Sequence, residues 1–348
     1  MSSSPGKIAA VFELEPWEEA YLRDRLDGLE IRATSETLNE QTIGLAQDAS
    51  LVSVFIRSRI SDALLTQLPT VRYITTRSTG YDHIDLASCR ARNIVVSNVP
   101  TYGENTVAEH TFGLILSLSR KIHQAYSRTI RGDFSLDGLR GFDLKGRTLG
   151  VVGAGHIGLH VVRIGRGFGM DVLAYDVVQQ PLLAEVLGFR YASLGELLAQ
   201  SDIVTLHLPY MPGTHHLLDR SRLGAMKRGA LLINTARGAI VDTDALLWAL
   251  DEGIIAGAGL DVVEGEDVIA EEELLLRQGV ATDQLQAAIR GHVLLRRENV
   301  VITPHIAFDS QEALQRILDT TVDNVRGFMS AEPRNVVDSP ASTPHPAR

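Results

Sequence analysis

A glycine-rich turn between a predicted strand and a predicted helix constrains the fold of this chain more than any other feature. The apolar run Thr148 to Val152 predicts a buried strand, and it leads directly into Gly153-Ala154-Gly155-His156-Ile157-Gly158. Apolar residues at positions 157, 161, 164 and 168 then follow the period of a helix. In this pattern the first glycine permits a tight turn, the second lets a ligand approach the backbone, and the third lets the helix pack on the strand. The stretch therefore predicts a strand–turn–helix unit of a parallel α/β sheet.

The same unit predicts a nucleotide site. Free N–H groups at the start of such a helix can bind a pyrophosphate. A second apolar run, Asp171 to Tyr175, ends at Asp176, where a carboxylate can accept hydrogen bonds from a ribose and repel a 2′-phosphate. A glycine turn of an ordinary α/β protein is the alternative. Strand, helix, second strand and terminal acid together favour a dinucleotide, and NAD over its 2′-phosphorylated form.

Length and composition limit the classes of protein that this chain can belong to. Its 348 residues are enough for two domains, and 45% hydrophobic with 22% charged residues predict packed cores. A net charge of −10 without a long basic run argues against nucleic acid or an anionic membrane as the main partner. The single cysteine, Cys89, lies in an apolar helical pattern, which predicts a buried, inert thiol. Because the sequence has no apolar signal core and no run of the ~20 apolar residues that a membrane span needs, a reducing cytoplasm is the expected compartment.

In the N-terminal part, short β-branched or aromatic runs alternate with helical patterns, which predicts a parallel sheet with helices on its faces. The predicted strands are Lys7–Phe12, Glu30–Ala33, Leu51–Phe55, Tyr73–Thr76 and Ile94–Ser97. The predicted helices are Pro16–Leu26, Asn39–Ala46, Ser61–Gln67 and Asp85–Arg92. The polar turn Arg77-Ser78-Thr79-Gly80-Tyr81-Asp82 directly follows a strand. It either lines a ligand cleft or is an ordinary surface turn that ends the strand.

A long apolar helix, about Thr106 to His123, is predicted to bridge into a second α/β unit. Further strands of that unit are predicted at Ile203–Leu206, Ala230–Asn234, Ala258–Val262 and Val300–Ile302. Further helices are predicted at Asp242–Glu252, with Asp242 as N-cap, at Glu271–Gln278 and Asp283–Ile289 within an inserted segment, and at Gln311–Phe328. We place the last helix back on the first unit, and we expect the Pro- and Ser-rich tail after it to be disordered.

Three polar residues follow predicted strands of the second unit: Arg237, Glu266 and His305. Each alone is usually structural or solvated, but parallel strands deliver their carboxyl ends to one edge, where the dinucleotide is expected. A guanidinium can hold a substrate carboxylate by a bidentate fork. An imidazole can take the hydroxyl proton as a hydride leaves, and a carboxylate can orient that imidazole and favour its protonated form. The set predicts hydride transfer between a nicotinamide and a 2-hydroxy acid.

These stretches resemble the D-isomer-specific 2-hydroxyacid dehydrogenase family over about residues 50 to 330. The matching motifs are Thr76-Arg77-Ser78-Thr79-Gly80-Tyr81-Asp82-His83-Ile84-Asp85, Asn105-Thr106-Val107-Ala108-Glu109-His110, Val152-Gly153-Ala154-Gly155-His156-Ile157-Gly158, Asn234-Thr235-Ala236-Arg237-Gly238, Leu260-Asp261-Val262-Val263-Glu264-Gly265-Glu266 and Thr303-Pro304-His305. Val99-Pro100-Thr101-Tyr102, the insertion before His305 and Phe308 after it look most like the D-lactate dehydrogenase branch.

The resemblance implies two doubly wound parallel-sheet domains with a cleft between them. Residues 1–103 and 307–332 would form a discontinuous flavodoxin-like substrate domain, residues 104–306 a Rossmann NAD-binding domain, and residues 333–348 a disordered tail. It also implies a homodimer that uses the nucleotide domain and the long helix near Thr106–His123.

The resemblance assigns site residues as follows. The catalytic residues would be Arg237, Glu266 and His305, with Glu266 preferred over Glu264 because the family's acid follows its arginine at this interval. The NAD-binding residues would be Thr106, Gly153, Gly155, His156, Ile157, Gly158, Asp176, His207, Pro209, Thr235, Ala236, Arg237, Asp261, His305 and Ala307. The substrate-binding residues would be Phe55, Ser78, Thr79, Gly80, Tyr102, Arg237 and Phe308. No metal is expected, and His215-His216 is interpreted as a solvated loop because no further ligand has metal-site spacing.

Some positions depart from the family pattern or have no place in it. Ala307 stands where many relatives have glycine, and Glu13 and Glu15 have no assigned role. Thr79 stands where phosphite-oxidising relatives carry lysine, which argues against phosphite. The expected substrate pair is therefore D-lactate and pyruvate or a slightly larger 2-keto acid. The alternative is a non-catalytic NAD(H)-sensing regulator on the same scaffold, against which the retained Glu266 and His305 argue.

Overall fold

The computed structural model describes residues 8–265 and 282–337. They divide into two compact units: unit 1, up to Tyr102 and from Ser310 on, and unit 2, Gly103–Asp309. The predicted helix Glu271–Gln278 and the predicted catalytic residue Glu266 lie outside the described residues.

Unit 1 contains a five-stranded parallel sheet in the order β2-β1-β3-β4-β5. Its strands are β1 (Ile8–Val11), β2 (Glu30–Ala33), β3 (Leu51–Val54), β4 (Tyr73–Thr76) and β5 (Val95–Ser97). Its helices are α1 (Pro16–Arg25), α2 (Asp62–Thr66), α3 (Leu86–Ala91) and, from the C-terminal part of the chain, the helix Gln311–Met329. This order is that of the flavodoxin-like fold, with its reversal of chain direction between β1 and β3.

Apolar side chains cover both faces of this sheet, as a parallel sheet requires. All residues of β3 and β4 are buried. The helix Gln311–Met329 covers one face, where Phe328 stacks on Tyr73 with 4.3 Å between ring centroids. Cys89 is buried on the other face, as predicted, and burial raises the pKa of its thiol to about 11.

Two predictions for unit 1 are wrong. The helix predicted at Asn39–Ala46 is only a 3₁₀ turn at Ile43–Leu45, because the Asn39 side chain accepts the N–H groups of Gln41 and Thr42 and favours a turn. The tail expected to be disordered from residue 333 is ordered at residues 334–337. Val336 pairs antiparallel with Ser97, and the N–H of Val337 donates to Val96 at 2.9 Å, which satisfies the open edge of β5.

Unit 2 contains a seven-stranded parallel sheet in the order β12-β11-β10-β9-β6-β7-β8. The strands are β6 (Thr148–Val152), β7 (Asp171–Tyr175), β8 (Arg190–Tyr191), β9 (Ile203–Leu206), β10 (Ala230–Asn234), β11 (Ile255–Leu260) and β12 (Val300–Ile302). The helices are α4 (Glu104–Ser119), α5 (Ile122–Thr129), α6 (His156–Gly167), α7 (Pro181–Leu187), α8 (Leu194–Gln200), α9 (Arg220–Gly224), α10 (Thr243–Asp251) and α11 (Thr282–Leu295). The helix Gln311–Met329, which belongs to unit 1, is called α12. The chain reverses between β6 and β9, so a Rossmann-type crevice opens at their carboxyl ends.

Three elements of unit 2 differ clearly from their predicted bounds. The helix predicted at Asp283–Ile289 is α11, which extends over Thr282–Leu295. The helix predicted from Thr106 to His123 ends at Ser119, because Lys121 takes a left-handed φ of 52° and the N–H of Phe142 binds the Ser119 carbonyl at 2.9 Å. β11 begins at Ile255, three residues before the prediction, because Gly257 interrupts its strand pattern. A Cβ at Gly257 would lie 3.4 Å from Leu118 and a Cβ at Gly259 would lie 3.0 Å from Leu114, so both glycines let α4 pack closely on the strand.

Within the described ranges, no helix combines the length and apolar character that crossing a bilayer demands.

Candidate active site

The glycine turn after β6 has the geometry that its sequence predicts. Gly153 has a φ of +100°, and a Cβ there would collide with the carbonyl oxygen of His207. A Cβ at Gly158 would collide with the carbonyl oxygen of Gly153, so helix and turn can be this close only without a side chain. Gly155 has no atom within 4 Å of its Cβ position. The turn is therefore tight at its first and third glycines and open at the second.

The polar groups of this turn suit a dinucleotide. In the described part of the chain, the N–H groups of Gly155, His156 and Ile157 at the start of α6 donate to no other group. Asp176 follows β7, and its carboxylate accepts the N–H of Ala154 at 2.7 Å and that of Val178 at 2.9 Å. N–H groups that could bind a phosphate and a carboxylate that could bind a ribose thus lie beside the same turn.

His207 follows β9 on the other side of the crevice. Its Nε2 pairs with the Thr205 hydroxyl at 2.9 Å, whereas its buried Nδ1 has no hydrogen-bond partner among the described residues. Burial lowers the pKa of His207 to about 3, so this imidazole is neutral at any ordinary pH. A buried polar atom without a partner fits a position that a bound cofactor completes.

The turn that carries Arg237 follows β10 and is fixed by Asn234. The Asn234 amide donates to the Arg237 carbonyl at 2.9 Å, and its oxygen accepts the N–H of Ala236 at 3.0 Å. The hydroxyl of Thr235 lies 3.1 Å from that of Thr111 on α4. A Cβ at Gly238 would collide with the backbone of Val263 and Glu264, so the arginine turn contacts the segment that leads to residue 266. The half-exposed Arg237 is thereby placed at the edge where that segment begins.

His305 follows β12 and is held by a buried carboxylate. Its own φ is +56°, and its N–H donates to the carbonyls of Asp261 and Thr303, each at 2.9 Å. The Asp261 side chain accepts the Thr303 hydroxyl at 2.5 Å and the N–H groups of Ile306 and Ala307 at 3.0 and 2.9 Å. His305 keeps this left-handed backbone conformation because hydrogen bonds fix the residues on both sides of it.

His110 on α4 completes this network. Its Nε2 lies 3.0 Å from the Thr303 hydroxyl and 3.4 Å from the Asp261 carboxylate. Burial raises the pKa of Asp261, but hydrogen bonds from His110, Thr303 and the two N–H groups outweigh it and hold this pKa below its usual range. Asp261 therefore stays ionised inside the unit and fixes the loop of His305.

The strand order brings three of the predicted residues of unit 2 to one edge of its sheet. β10, β11 and β12 are neighbours, and Arg237, Asp261 and His305 follow their carboxyl ends. Phe308 contacts His305 edge to face, with 6.5 Å between ring centroids. Thr106 lies buried on α4, and Pro209 is exposed after His207.

The predicted substrate residues of unit 1 also follow strand ends. After β4, the Ser78 hydroxyl donates to the Gly80 carbonyl at 2.6 Å and the Thr79 hydroxyl to the Val99 carbonyl at 2.9 Å. Among the described residues, the N–H groups of Thr79 and Gly80 have no acceptor. Phe55 follows β3 and is half-buried, and Arg316 donates to the Tyr102 carbonyl at 2.6 Å.

Two acidic residues have contacts that the sequence did not predict. Glu13 follows β1 and binds the loop of Phe55, and its place at a strand end was the signal that could have found it. Glu264 accepts the Thr243 hydroxyl at 3.1 Å and pairs with His216 at 2.8 Å. The loop of His215 and His216 is thus bound to a carboxylate rather than simply solvated. No group of three or more metal-binding side chains is gathered in the described part of the chain.

The chain is similar to known enzymes over nearly its whole length. A family model described as D-isomer specific 2-hydroxyacid dehydrogenase, NAD binding domain, matches residues 112–307. A 2-hydroxyacid dehydrogenase homolog of Haemophilus influenzae is 40% identical over 298 residues, 85% of this chain and 87% of that protein. The D-lactate dehydrogenase of Escherichia coli is 35% identical over 328 residues, 93% of this chain and 97% of that protein.

A solved structure gives the same result. The D-lactate dehydrogenase of Aquifex aeolicus, complexed with NAD and lactic acid, superposes with a TM-score of 0.86 at 37% identity, covering 96% of this chain and all of that one. Together with the glycine turn, Asp176 and His207, these similarities define an NAD-dependent dehydrogenase. More particularly, the chain belongs to the D-isomer-specific 2-hydroxyacid dehydrogenase family, in its D-lactate dehydrogenase-like branch. The alternative of an NAD(H)-sensing regulator finds no support in these relatives.

Proposed function

We propose that the enzyme interconverts D-lactate and pyruvate, or a slightly larger pair of the same kind, with NAD as cofactor. The observation that carries this proposal is the edge of unit 2, where Arg237 follows β10 and His305 follows β12, the two strands on either side of β11, at the same end of the sheet as the glycine turn after β6. The lactate dehydrogenases among the relatives of this chain support the choice of substrate.

In this proposal Arg237 acts on the carboxylate of the substrate and His305 acts on its C2 oxygen. Arg237 holds the substrate carboxylate by a bidentate pair of hydrogen bonds. His305 gives a proton to the C2 oxygen in keto-acid reduction and takes it back in oxidation. Glu266 orients the imidazole of His305 for this proton transfer. The nicotinamide supplies the hydride chemistry when it is bound.

The remaining site residues are assigned by unit. In unit 2 we assign NAD binding to the glycine turn, Asp176 and His207, and to further residues that follow the strands or lie on α4: Thr106, Pro209, Thr235, Ala236, Asp261 and Ala307. In unit 1 we assign substrate binding to Phe55, Ser78, Thr79, Gly80 and Tyr102, and in unit 2 to Phe308. The free N–H groups of Thr79 and Gly80 support a carboxylate ligand there.

We also propose that the enzyme is a cytoplasmic homodimer. Five large apolar side chains in α5 and the segment after it are 52–82% exposed: Ile122, Tyr126, Ile130, Phe134 and Leu136. An exposed apolar patch on one face marks a protein interface more often than a solvated surface. The single, buried cysteine supports a reducing compartment.

The test is a panel of 2-keto acids, from glyoxylate and pyruvate to 2-oxo-4-methylpentanoate, with NADH or NADPH and absorbance recorded at 340 nm. We expect the highest kcat/KM for pyruvate or the next larger acids with NADH. The reverse reaction should oxidise D-lactate and leave L-lactate unchanged. NADH binding without turnover of any acid would reject the proposal and return the regulator to consideration.

A further inference from the structure

Glu13 lies where a parallel sheet of this type binds its ligands. It follows β1, and the Phe55 loop, residues 55–58, follows β3. Because β1 and β3 are neighbours on opposite sides of the chain reversal, their carboxyl ends flank the crevice of unit 1. The roles assigned so far leave Glu13 without one.

The carboxylate of Glu13 binds almost every donor of the Phe55 loop. Its Oε2 accepts the N–H of Phe55 at 3.0 Å, the N–H of Ser58 at 3.2 Å and the hydroxyl of Ser58 at 2.6 Å. Its Oε1 accepts the N–H of Arg57 at 2.7 Å. The buried Ser58 hydroxyl in turn accepts the N–H of Leu38 at 2.9 Å. One side chain therefore ties both ends of the loop to the sheet.

Arg77 contacts both Glu13 and Phe55 and holds them in place. Its buried guanidinium donates to the carbonyls of Phe12 at 2.8 Å and of Glu13 at 2.5 Å, and to the hydroxyl of Ser53 at 3.1 Å. Its Cζ also lies 5.6 Å from the centroid of the Phe55 ring, within the range of a cation–π contact. The aromatic ring is thus held by Arg77 and its backbone by Glu13.

The backbone of Glu13 is itself constrained. Its φ is +55°, a left-handed conformation that a residue with a long side chain rarely adopts. The N–H of Glu13 donates to the Glu36 carbonyl at 3.0 Å, and its carbonyl accepts from Arg77. Such a conformation persists where surrounding contacts over-determine it, and it clusters at functional sites.

From these contacts we infer that Glu13 is a positioning residue that fixes the Phe55 loop and so sets which 2-keto acid side chains the enzyme accepts. The inference rests on the proposed function, which makes Phe55 a substrate-binding residue. A carboxylate suits this role because it only accepts hydrogen bonds, and every group that faces it in the loop is a donor. An amide would turn an N–H toward at least one of those donors.

The structural arm of the test measures amide hydrogen exchange in the loop. Glu13→Gln keeps the shape, whereas Glu13→Gly removes the carboxylate and also relieves the left-handed backbone. In both variants the amides of Phe55, Arg57 and Ser58 should exchange about tenfold faster or more, because their acceptor is lost or weakened. The control is Glu40→Gln, which removes the same charge at an exposed residue of unit 1. In the described part of the chain Glu40 forms no hydrogen bond or ion pair with the loop, so exchange should be unchanged.

The kinetic arm compares pyruvate with 2-oxo-4-methylpentanoate. Glu13→Gln should raise KM about tenfold for the acid that wild type prefers and change the kcat/KM ratio of the two acids about fivefold, because the Phe55 ring is no longer held in place. The Kd of NADH should stay within about twofold, since its proposed ligands lie in unit 2. A purely structural role would instead lower kcat equally for both acids.

The two arms separate this inference from the proposed function. Unchanged exchange in Glu13→Gln and Glu13→Gly overturns the inference, whatever the enzyme reduces. Faster exchange with an unchanged substrate ratio also overturns it, because the loop would then not govern selectivity. If wild type reduces no 2-keto acid, the proposed function fails, and the selectivity claim fails with it even where exchange shows that Glu13 holds the loop.

Discussion

At the scale of single residues, the chemistry of this chain depends on side chains that follow strand ends. Arg237 and His305 are recognisable in the sequence because both motif and strand-end position point to them. Glu13 had no assigned role, and the motif that contains Asp261 did not indicate that its side chain holds the loop of His305, because both roles depend on partners 42 to 46 positions away in the chain. Single-sequence patterns report local spacing, and a carboxylate that binds a distant loop has no local signal.

Substitution of His305 tests the proton transfer. His305→Asn should lower kcat by ~10²–10⁴-fold, the usual contribution of a general acid–base group. NADH binding, measured by fluorescence titration, should persist because the glycine turn is untouched. His160→Asn on the surface of α6 is the control and should keep full turnover. Undiminished turnover in His305→Asn would remove this residue from the mechanism.

Substitution of Asp176 tests cofactor choice. Its carboxylate lies at the end of β7 beside the glycine turn, where it would face a 2′-phosphate as a like charge. Asp176→Ala should therefore shift the NADPH/NADH ratio of kcat/KM upward by about tenfold or more, because charge repulsion of about 1.4 kcal/mol corresponds to a factor of ten. The ratio is measured with each cofactor at saturating keto acid. An unchanged ratio would show that Asp176 does not face the ribose.

At the scale of elements, most strands could be predicted and several helix ends could not. Seven predicted strands, among them Tyr73–Thr76 and Thr148–Val152, have the observed bounds because β-branched runs end at polar or glycine residues. The end of α4 could not be found, because the break depends on the left-handed Lys121 and on the contact between the Ser119 carbonyl and the N–H of Phe142, which is distant in the sequence. Gly257 hid the start of β11 for a similar reason, since the absence of its side chain matters only because α4 packs against the strand there.

The loop between β12 and α12 gives a prediction at this scale. Asp261→Asn should destabilise unit 2 by about 3 kcal/mol, because charge-assisted hydrogen bonds to Thr303, Ile306 and Ala307 are weakened inside the unit. Unfolding of unit 2 in urea is followed by the fluorescence of Trp248 on α10, in a protein whose other tryptophan is removed by Trp17→Phe. Asp251→Asn, which removes an exposed ion pair with Arg297, is the control and should change stability by less than about 1 kcal/mol.

The pH dependence of this difference follows from the lowered pKa of Asp261. A carboxylate whose pKa is lower in the folded than in the unfolded chain stabilises the fold above the unfolded value, about 3.9. That contribution is lost as the pH falls through the folded pKa. The gap between wild type and Asp261→Asn should thus be constant from pH 5 to 8 and shrink below about pH 4. A gap that widens in acid would contradict an ionised Asp261.

At the scale of the whole molecule, the alternation of strands and helices predicted two parallel α/β units. The flavodoxin-like and Rossmann folds were implied only by the resemblance to the family, and the observed strand orders agree with them. The sequence did not predict the pairing of residues 335–337 with β5. The unpaired edge of a strand can form hydrogen bonds with any backbone segment that reaches it, so the pairing has no signal in the local sequence. The composition of the tail, which is rich in Pro and Ser, indicated disorder instead.

Assembly gives the last prediction. A stable dimer interface needs about 800 Å² from each partner with an apolar centre, and α5 with the segment after it offers exposed aromatic and aliphatic side chains. Tyr126→Lys with Ile130→Lys places two charges one helical turn apart at this surface, so sedimentation velocity at micromolar concentration should give a monomer where wild type gives a dimer. The matched control is Leu182→Lys with Val186→Lys on α7, whose side chains have the same spacing and are each 71% exposed. Because both pairs add the same charge, only a loss of assembly confined to the α5 variant supports this interface; a monomeric wild type, or a dimer that survives in the α5 variant, contradicts it.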